Sequence, residues 1–400
     1  MENNSDRMGF ALIALSVVAF VLLAVNGPLK STVSGFFNGF KDWHSSTMKS
    51  ITNDDNNTSQ NTVGPDALVS RSHIADTATL NFDLARHPMT ESDLEGVVDS
   101  SVKAGFSNVS LRLSDNQNLM YKSDYLKNTN SNALSSDDIK KLVKYANSKN
   151  INIIPDLDSP SHAGAILAAL SVSHPDVYAS VVMGNDTSTM DYSKTESVTL
   201  MSELYSEVAK LFNGQSYQAM VIGGDEVPGN NDLYSSSLVP FFNKMADIIS
   251  SNKYAPILWN DSILKTDVPK LNKNLSIYYW SQAGHASGQE LIDRNTYRAR
   301  VSDFTSNGIN VINANDYANT YQLKNIGNAG DESYFYNYLK DTSKPSLFNE
   351  VVDGETQWWT PEITGHQGMV ISLWGENSDN ISSSDIIRFV GGIQLPASGK

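Results

Sequence analysis

The chain has no cysteine in its 400 residues. That excludes disulfides, thiolate metal sites and a cysteine nucleophile. Basic residues are scarce as well: 29 Lys and Arg stand against 44 Asp and Glu, for a formal net charge of −15. A nucleic-acid partner calls for a basic surface, so none is expected, whereas the acidity suits solubility or a cationic ligand. The seven histidines show no HExxH or comparable ligand spacing, and no metal or other cofactor is expected. Also missing is G-x-G-x-x-G, the phosphate fingerprint that a doubly wound α/β sheet often carries.

What is present falls into three parts. Residues 1–7 are polar, and from Gly9 to Leu29 no residue is charged and most are Ala, Leu, Val, Ile or Phe. That is about the 20 residues a membrane-spanning helix needs. A cleaved signal peptide usually has a shorter apolar core, about 7–15 residues, and no small-x-small cleavage site follows Val25. The expectation is a single-pass anchor over residues 1–30 that holds the rest of the chain outside the cell; a cleaved secretion signal is the alternative. Phe36, Phe37, Phe40 and Trp43 lie at helical spacing, which fits an aromatic face on the membrane surface or a plain continuation of the helix. Residues 51–66 are rich in Asn, Asp, Thr and Ser with almost nothing to bury. They read as a flexible tether within a linker over 31–76.

The third part, 77–400, alternates short apolar runs with helical patterns. Strands are expected at 78–86, 108–115, 151–159, 219–226, 255–261, 275–281, 310–316 and 368–376. Among the helices, Thr90–Ala104 opens on a T-x-x-D pattern close to a capping box. Ser136–Ser148, Glu196–Phe212, Leu238–Ser250 and Ser382–Val390 repeat apolar residues every three or four positions. Eight strands alternating with helices are the signature of a (β/α)8 TIM barrel, with an open doubly wound sheet as the second choice.

The most informative stretch runs from Gln218 to Gly229 and reads QAMVIGGDEVPG. A β-branched run meets two glycines, then Asp225 and Glu226 side by side. Two adjacent carboxylates are costly to bury, which points to chemistry, though a solvated strand-to-loop junction would also hold them. Other strands end in the same fashion: Asp83, Arg86 and His87; Asp115; Asp156, Asp158 and then His162; Trp259, Asn260 and Asp261; Trp280; Asp316 and Tyr317; Trp374 and Glu376. In a barrel these ends converge on one face, where active sites form. Indole faces ringed by carboxylates and an arginine suit a sugar ring, with C–H faces stacking and hydroxyls bonding to charged acceptors.

NFDLARH (81–87), LRLSDNQ (111–117), PDLDSPSH (155–162), VIGGDE (221–226), LWND (258–261), YYWS (278–281) and SLWGE (372–376) follow one another in the family order of glycoside hydrolase family 20. The chain resembles this family, the β-N-acetylhexosaminidases, from about Leu80 to its C-terminus, and within it the compact branch that cuts biofilm poly-N-acetylglucosamine. The resemblance implies a retaining, substrate-assisted mechanism in which the sugar's own 2-acetamido oxygen attacks C1. By motif match, Glu226 is the general acid and then base, with a pKa raised by burial and by its anionic neighbour. Asp225 stays ionised and orients the acetamido group. Arg86 and Glu376 match residues that hold the terminal sugar's hydroxyls. Asp115 and His162 match a polar pair beneath the acid, and Trp259, Trp280 and Trp374 match the aromatic box. Tyr317 matches the tyrosine that bonds the acetamido oxygen, with Asn319 at the following polar position. The family usually has His where Val221 and Arg112 stand. Arg112 adds a charge that needs a partner, with acids nearby to supply one.

The function expected on this basis is β-N-acetylhexosaminidase activity on N-acetylglucosamine-containing glycans, in particular β-1,6-linked poly-N-acetylglucosamine. Chitin oligomers and terminal hexosamines of host glycans are alternative substrates. From a different class, a catalytically inactive cell-surface carbohydrate-binding protein would keep the barrel and the tryptophans, but it has no need of an intact GGDE. The D-x-x-D-x-D-x-E run of a chitinase-like enzyme is absent.

Overall fold

Short apolar strands alternate with helices along the chain, and the strands close on themselves. The computed structural model describes residues 73–396 except 75, 285, 353–356 and 360–367, and only the backbone of 349–352 and 357–359. The expected anchor (9–29), the aromatic face (Phe36 to Trp43) and the tether (51–66) lie outside the described residues. Among the described residues, no helix is long and apolar enough to cross a membrane.

The barrel strands are β1 (Ala78–Phe82), β2 (Asn108–Ser114), β3 (Asn152–Leu157), β4 (Ala219–Val221), β5 (Ala255–Trp259), β6 (Ser276–Tyr279), β7 (Asn310–Asn313) and β8 (Met369–Trp374). Each pairs in parallel with the next, and β1 returns to β8 with Ala78 opposite Met369. The sheet therefore closes into the (β/α)8 barrel, and the open doubly wound alternative is excluded. β4 is shorter than its apolar run suggests. It stops at Val221 because Gly223 and Gly224 take left-handed backbone angles (φ 94° and 88°).

The helices begin where the sequence marks them. Thr90 and Ser135 each form a capping box, with Asp93 and Asp138 respectively, which satisfies backbone donors left open at the first turn. Helices Thr195–Leu211, Val239–Ser251 and Ser383–Gly392 match the periodic segments to within two residues. Strand alternation then sorts the core into two layers. Ile153, Met220, Leu258, Ile277, Val311 and Ile371 face outward to the helices, while Ile154, Val221, Ile257, Tyr278, Ile312 and Val370 face the barrel axis. The inward register also carries Trp259 and Trp374 to the C-terminal mouth, so the same alternation that builds the core aims the aromatic residues at the site.

Candidate active site

The turn after β4 sets the geometry. Gly223 passes so close to β3 that a Cβ there would stand 1.7 Å from Asp158 Oδ1, and one on Gly224 would stand 2.6 Å from Leu258 Cδ1. Only glycine fits such a passage, and positive φ is costly for other residues. Glu226 itself is left-handed, with φ 52°. The turn is pinned by Trp259 N–H donating to Gly223 O (2.9 Å), Ser161 Oγ to Asp225 O (2.5 Å) and Glu226 N–H to Asp261 Oδ2 (2.9 Å). These bonds turn the two adjacent carboxylates toward one opening.

That opening is a cavity of about 270 Å³, lined by Arg86, His162, Asp225, Glu226, Trp259, Trp280, Trp374 and Glu376, together with Ala314, Asp316, Thr320, Gln322 and Ser372. Eight of the ten site residues expected from sequence thus meet in one place. Asp115 lies just beneath: its Oδ2 is 2.8 Å from Arg86 Nη2 and 3.1 Å from Arg112 Nη2. Arg86 also reaches Asp83 Oδ2 at 3.0 Å and Glu376 Oε1 at 3.1 Å. Across the cavity the Trp259 and Trp374 rings are 6.2 Å apart, and Trp280 Nε1 donates to Asp261 Oδ1 at 3.1 Å.

Tyr317 is placed differently from its expected role. It lines a neighbouring cavity of about 320 Å³ with Asn315 and Tyr338, is 43% exposed, and meets Tyr334 through a 3.0 Å hydroxyl–hydroxyl bond. Asn319 lines that second cavity too. The segment after β7 is a wall between the two cavities: Ala314, Asp316, Thr320 and Gln322 face the catalytic side, and Asn315, Tyr317 and Asn319 the other. The split continues the parity of β7, whose Ile312 faces the axis: even positions open on the catalytic side and odd ones behind it, and only Ala318, in the short helix Asp316–Asn319, departs from it.

Electrostatics separate the two central carboxylates. Burial alone would push Asp225 up, but Arg112, then His162 and Arg86, outweigh it and hold Asp225 below the usual aspartate range. Glu226 is also held below its ordinary value, first by the His162 imidazole, whose Nε2 is 3.3 Å from Oε2. This corrects the expectation of a raised pKa in the free protein. The Glu226 side chain is 60% exposed, so burial and Asp225 together do not overcome the imidazole. His162 is desolvated, which lowers its pKa, yet Asp225 (3.6 Å) and Glu226 raise it above the usual histidine value.

Several contributors had no role assigned from the sequence. Asp83 orients Arg86 and accepts from Gly375 N–H at 3.0 Å; Asp261 holds both the Glu226 backbone and Trp280. The LWND and NFDLARH motifs contain both residues, which was the available signal. Asp316 also stood among the strand ends, and Gln322 carried no mark. Asp115, Asp158 and His162 are the one trio of metal-ligand types clustered among the described residues, within 4.8 Å of one another. Both aspartates already contact the Arg112 guanidinium, whose charge opposes a cation there.

Comparison with known proteins agrees with this geometry. The glycosyl hydrolase family 20 catalytic domain matches residues 73–387. The crystal structure of Dispersin B superposes with a TM-score of 0.72 at 22% identity, over 80% of this chain and 97% of that one. The GH20 catalytic modules of the pneumococcal exo-β-D-N-acetylglucosaminidase StrH give 0.62 at 20% identity, over 81% and 83%. At such identities these are likenesses of fold. A lacto-N-biosidase of Bifidobacterium bifidum is 28% identical over 176 residues, 39% of this chain and 15% of that protein. The β-hexosaminidase subunit A1 of Dictyostelium discoideum is 27% identical over 186 residues, 42% and 33%. The alignments therefore span a third or less of these two relatives. With the family's domain covering most of the chain and its barrel, turn and cavity in place, the protein belongs to glycosyl hydrolase family 20.

Proposed function

We propose that the protein is a retaining β-N-acetylhexosaminidase that uses the acetamido group of its substrate as the nucleophile. The observation that carries this reading is the pairing of an oriented, ionised Asp225 with Glu226 at one aromatic-lined opening. Most retaining glycosidases set a carboxylate nucleophile about 5 Å across the bond from the acid, whereas this family is a substrate-assisted exception. In the proposed reaction Asp225 accepts the acetamido N–H and stabilises the positive charge that develops as the acetamido oxygen closes on C1. Glu226 donates its proton to the leaving oxygen and then takes one from the incoming water. Tethering the nucleophile to the sugar removes the translational cost of a second reactant. Arg86 and Glu376 hold hydroxyls, and Trp259, Trp280 and Trp374 receive the ring and the methyl group.

The test is hydrolysis of a chromogenic N-acetylglucosaminide. Glu226→Gln and Asp225→Asn should each lose at least about a hundredfold in kcat, and the matching glucoside without an acetamido group should be a very poor substrate. Wild-type activity with equally active variants would defeat the assignment. No wild-type turnover on any hexosaminide would favour a carbohydrate-binding protein on the same barrel.

The pH profile carries a second expectation. Glu226 must be protonated to act, and His162 holds it low in the free protein. A bound sugar displaces water from it and favours the neutral form. The alkaline limb of kcat/KM, which reports the free enzyme, should therefore fall at lower pH than that of kcat.

The finer reading concerns substrate and place. We infer poly-β-1,6-N-acetylglucosamine as substrate from the motif resemblance, and the net charge of −15 suits a partly de-acetylated, cationic polymer. Turnover of that polymer should weaken as salt rises; salt-independent turnover would remove the charge argument. The uncharged stretch from Gly9 to Leu29 supports a membrane anchor with the barrel outside the cell. Detergent-dependent extraction of the full chain would bear that out, and release into the medium would favour a cleaved signal.

A further inference from the structure

The arginine on β2 is the most constrained charge in the molecule. Arg112 is fully buried and faces the barrel axis. Its Nε and Nη2 donate to Asp115 Oδ2 at 3.2 and 3.1 Å, Nη2 also meets Asp158 Oδ2 in a short contact, and Nη1 lies 3.9 Å from Asp156 Oδ2. The same Nη2 is 3.5 Å from Asp225 Oδ2, and the guanidinium lies over the Trp374 ring, 5.4 Å from its centroid. One planar cation thus touches four carboxylates and an indole face.

The charges around Asp225 do not balance. From β2 comes Arg112, with Asp115 just beyond it; from β3 Asp156, with Asp158 and then His162 just beyond it. Glu226 is the adjacent residue, Asp261 approaches from the end of β5 with Arg298 facing it, and Arg86 from the end of β1 with Asp83 and Glu376 paired to it. Carboxylates outnumber cations, so they cannot all be ionised in a buried site. The division is uneven. Burial drives Asp156 up to about 7 and Asp158 well above its ordinary value, and Arg112 only partly offsets this. Asp225, which shares the same arginine, is pulled down instead.

We propose that Arg112 is a positioning residue for the hydrolysis: held by Asp115 and Asp158, with Asp156 3.9 Å from Nη1, its Nη2 also faces Asp225 Oδ2 at 3.5 Å and keeps that side chain as the oriented anion at the cavity floor. Arginine suits this task because its fork of donors is planar and permanently charged; a lysine offers a single point charge. The stack on Trp374 ties that anion to the aromatic wall, so the charge stabiliser and the sugar platform are set by one group. This inference rests on the reading of Asp225 as the charge stabiliser.

The test is the pH dependence of kcat and KM for a chromogenic N-acetylglucosaminide with Arg112→Gln, Arg112→Lys and the pair R112Q/D158N. An opposite charge at this distance lowers a carboxyl pKa by about 1–3 units, so Arg112→Gln should move the acid limb of kcat upward by about one pH unit or more. It should also lower kcat at least about tenfold, with KM held within about threefold. Arg112→Lys should return the acid limb toward wild type and leave kcat depressed, because the charge is kept and the fork is lost. If Arg112→Gln does not fold, R112Q/D158N removes a buried carboxylate along with the cation and should show the same raised limb. A folded Arg112→Gln or R112Q/D158N with the wild-type limb and kcat, or an Arg112→Lys as active as wild type, overturns the proposal. Asp225→Asn separates the two readings. If it is inactive while the Arg112 variants match wild type, only this inference fails; if it is fully active, the function reading fails as well.

Discussion

Strands β1 to β3 face the barrel axis mostly with polar residues (Thr79, Asn81, Asn108, Ser110, Arg112 and Asp156, with Ile154 among them), whereas β5 to β8 face it mostly with Ile257, Trp259, Tyr278, Ile312 and Val370, with Ser276 and Ser372 between them. Both halves are buried and both come from the same alternation of a twisted parallel strand. The difference lies in what each half can do to a bound molecule. The first half fixes charges where water is excluded, so burial and the arginines that offset it decide which acid is ionised. The second offers flat apolar faces that are indifferent to pH. A hexosamine has hydroxyls and an acetamido group around its edge and C–H bonds on its faces, and a site between these halves addresses both.

The comparison breaks most severely at the seam. Gly223→Ala would drive a methyl into Asp158 and Ser159 at φ 94°. The expected result is a loss of about 3 kcal/mol or more in urea denaturation together with loss of activity; a stable, active Gly223→Ala would mean that the β3–β4 approach is loose. Trp374→Ala tests the aromatic half. We expect a drop of about 30-fold in kcat/KM, the size of a buried aromatic anchor, equal at every pH once Arg112 is accounted for.

Asp156→Asn tests the polar half through stability. In the folded protein burial drives Asp156 from the ordinary 3.8 up to about 7. The native state therefore binds more protons than the unfolded chain, and stability is fully present below about pH 4 and declines as pH rises toward about 7. Asp156→Asn should flatten this decline; an unchanged slope in denaturation midpoints from pH 4 to 7 would assign it to another group. The smallest effect is expected at the rim. Glu376 is 38% exposed and pairs with Arg86 at 3.1 Å, so Glu376→Gln should cost about three- to tenfold in kcat/KM with little change in stability.

Much of this architecture is local, and local features were legible. Thr90, Ser135, the periodic helices and the eight apolar runs each declare an element within a few residues of its bounds. Because barrel strands end on one face, listing the residues at those ends was enough to bring eight of ten together. Tyr317 was misplaced because motif match set its role while its register did not: Ile312, Ala314 and Asp316 hold the inward parity after β7, and Tyr317 falls on the opposite one. Glu226 kept its place, but its proton affinity depends on how far His162 stands from it, and no spacing in the chain encodes that.

The order of strands, the glycine-bearing turn before Asp225 and Glu226, and the set of tryptophans at strand ends belonged to the sequence alone, since each follows from short-range pattern and from how a parallel barrel must close. Only the tertiary structure decided that Arg112, Asp115, Asp156, Asp158 and Asp225 share one buried charge. Their mutual distances arise from three strands meeting across the barrel axis, and burial set against one shared guanidinium determines which carboxylate keeps its proton.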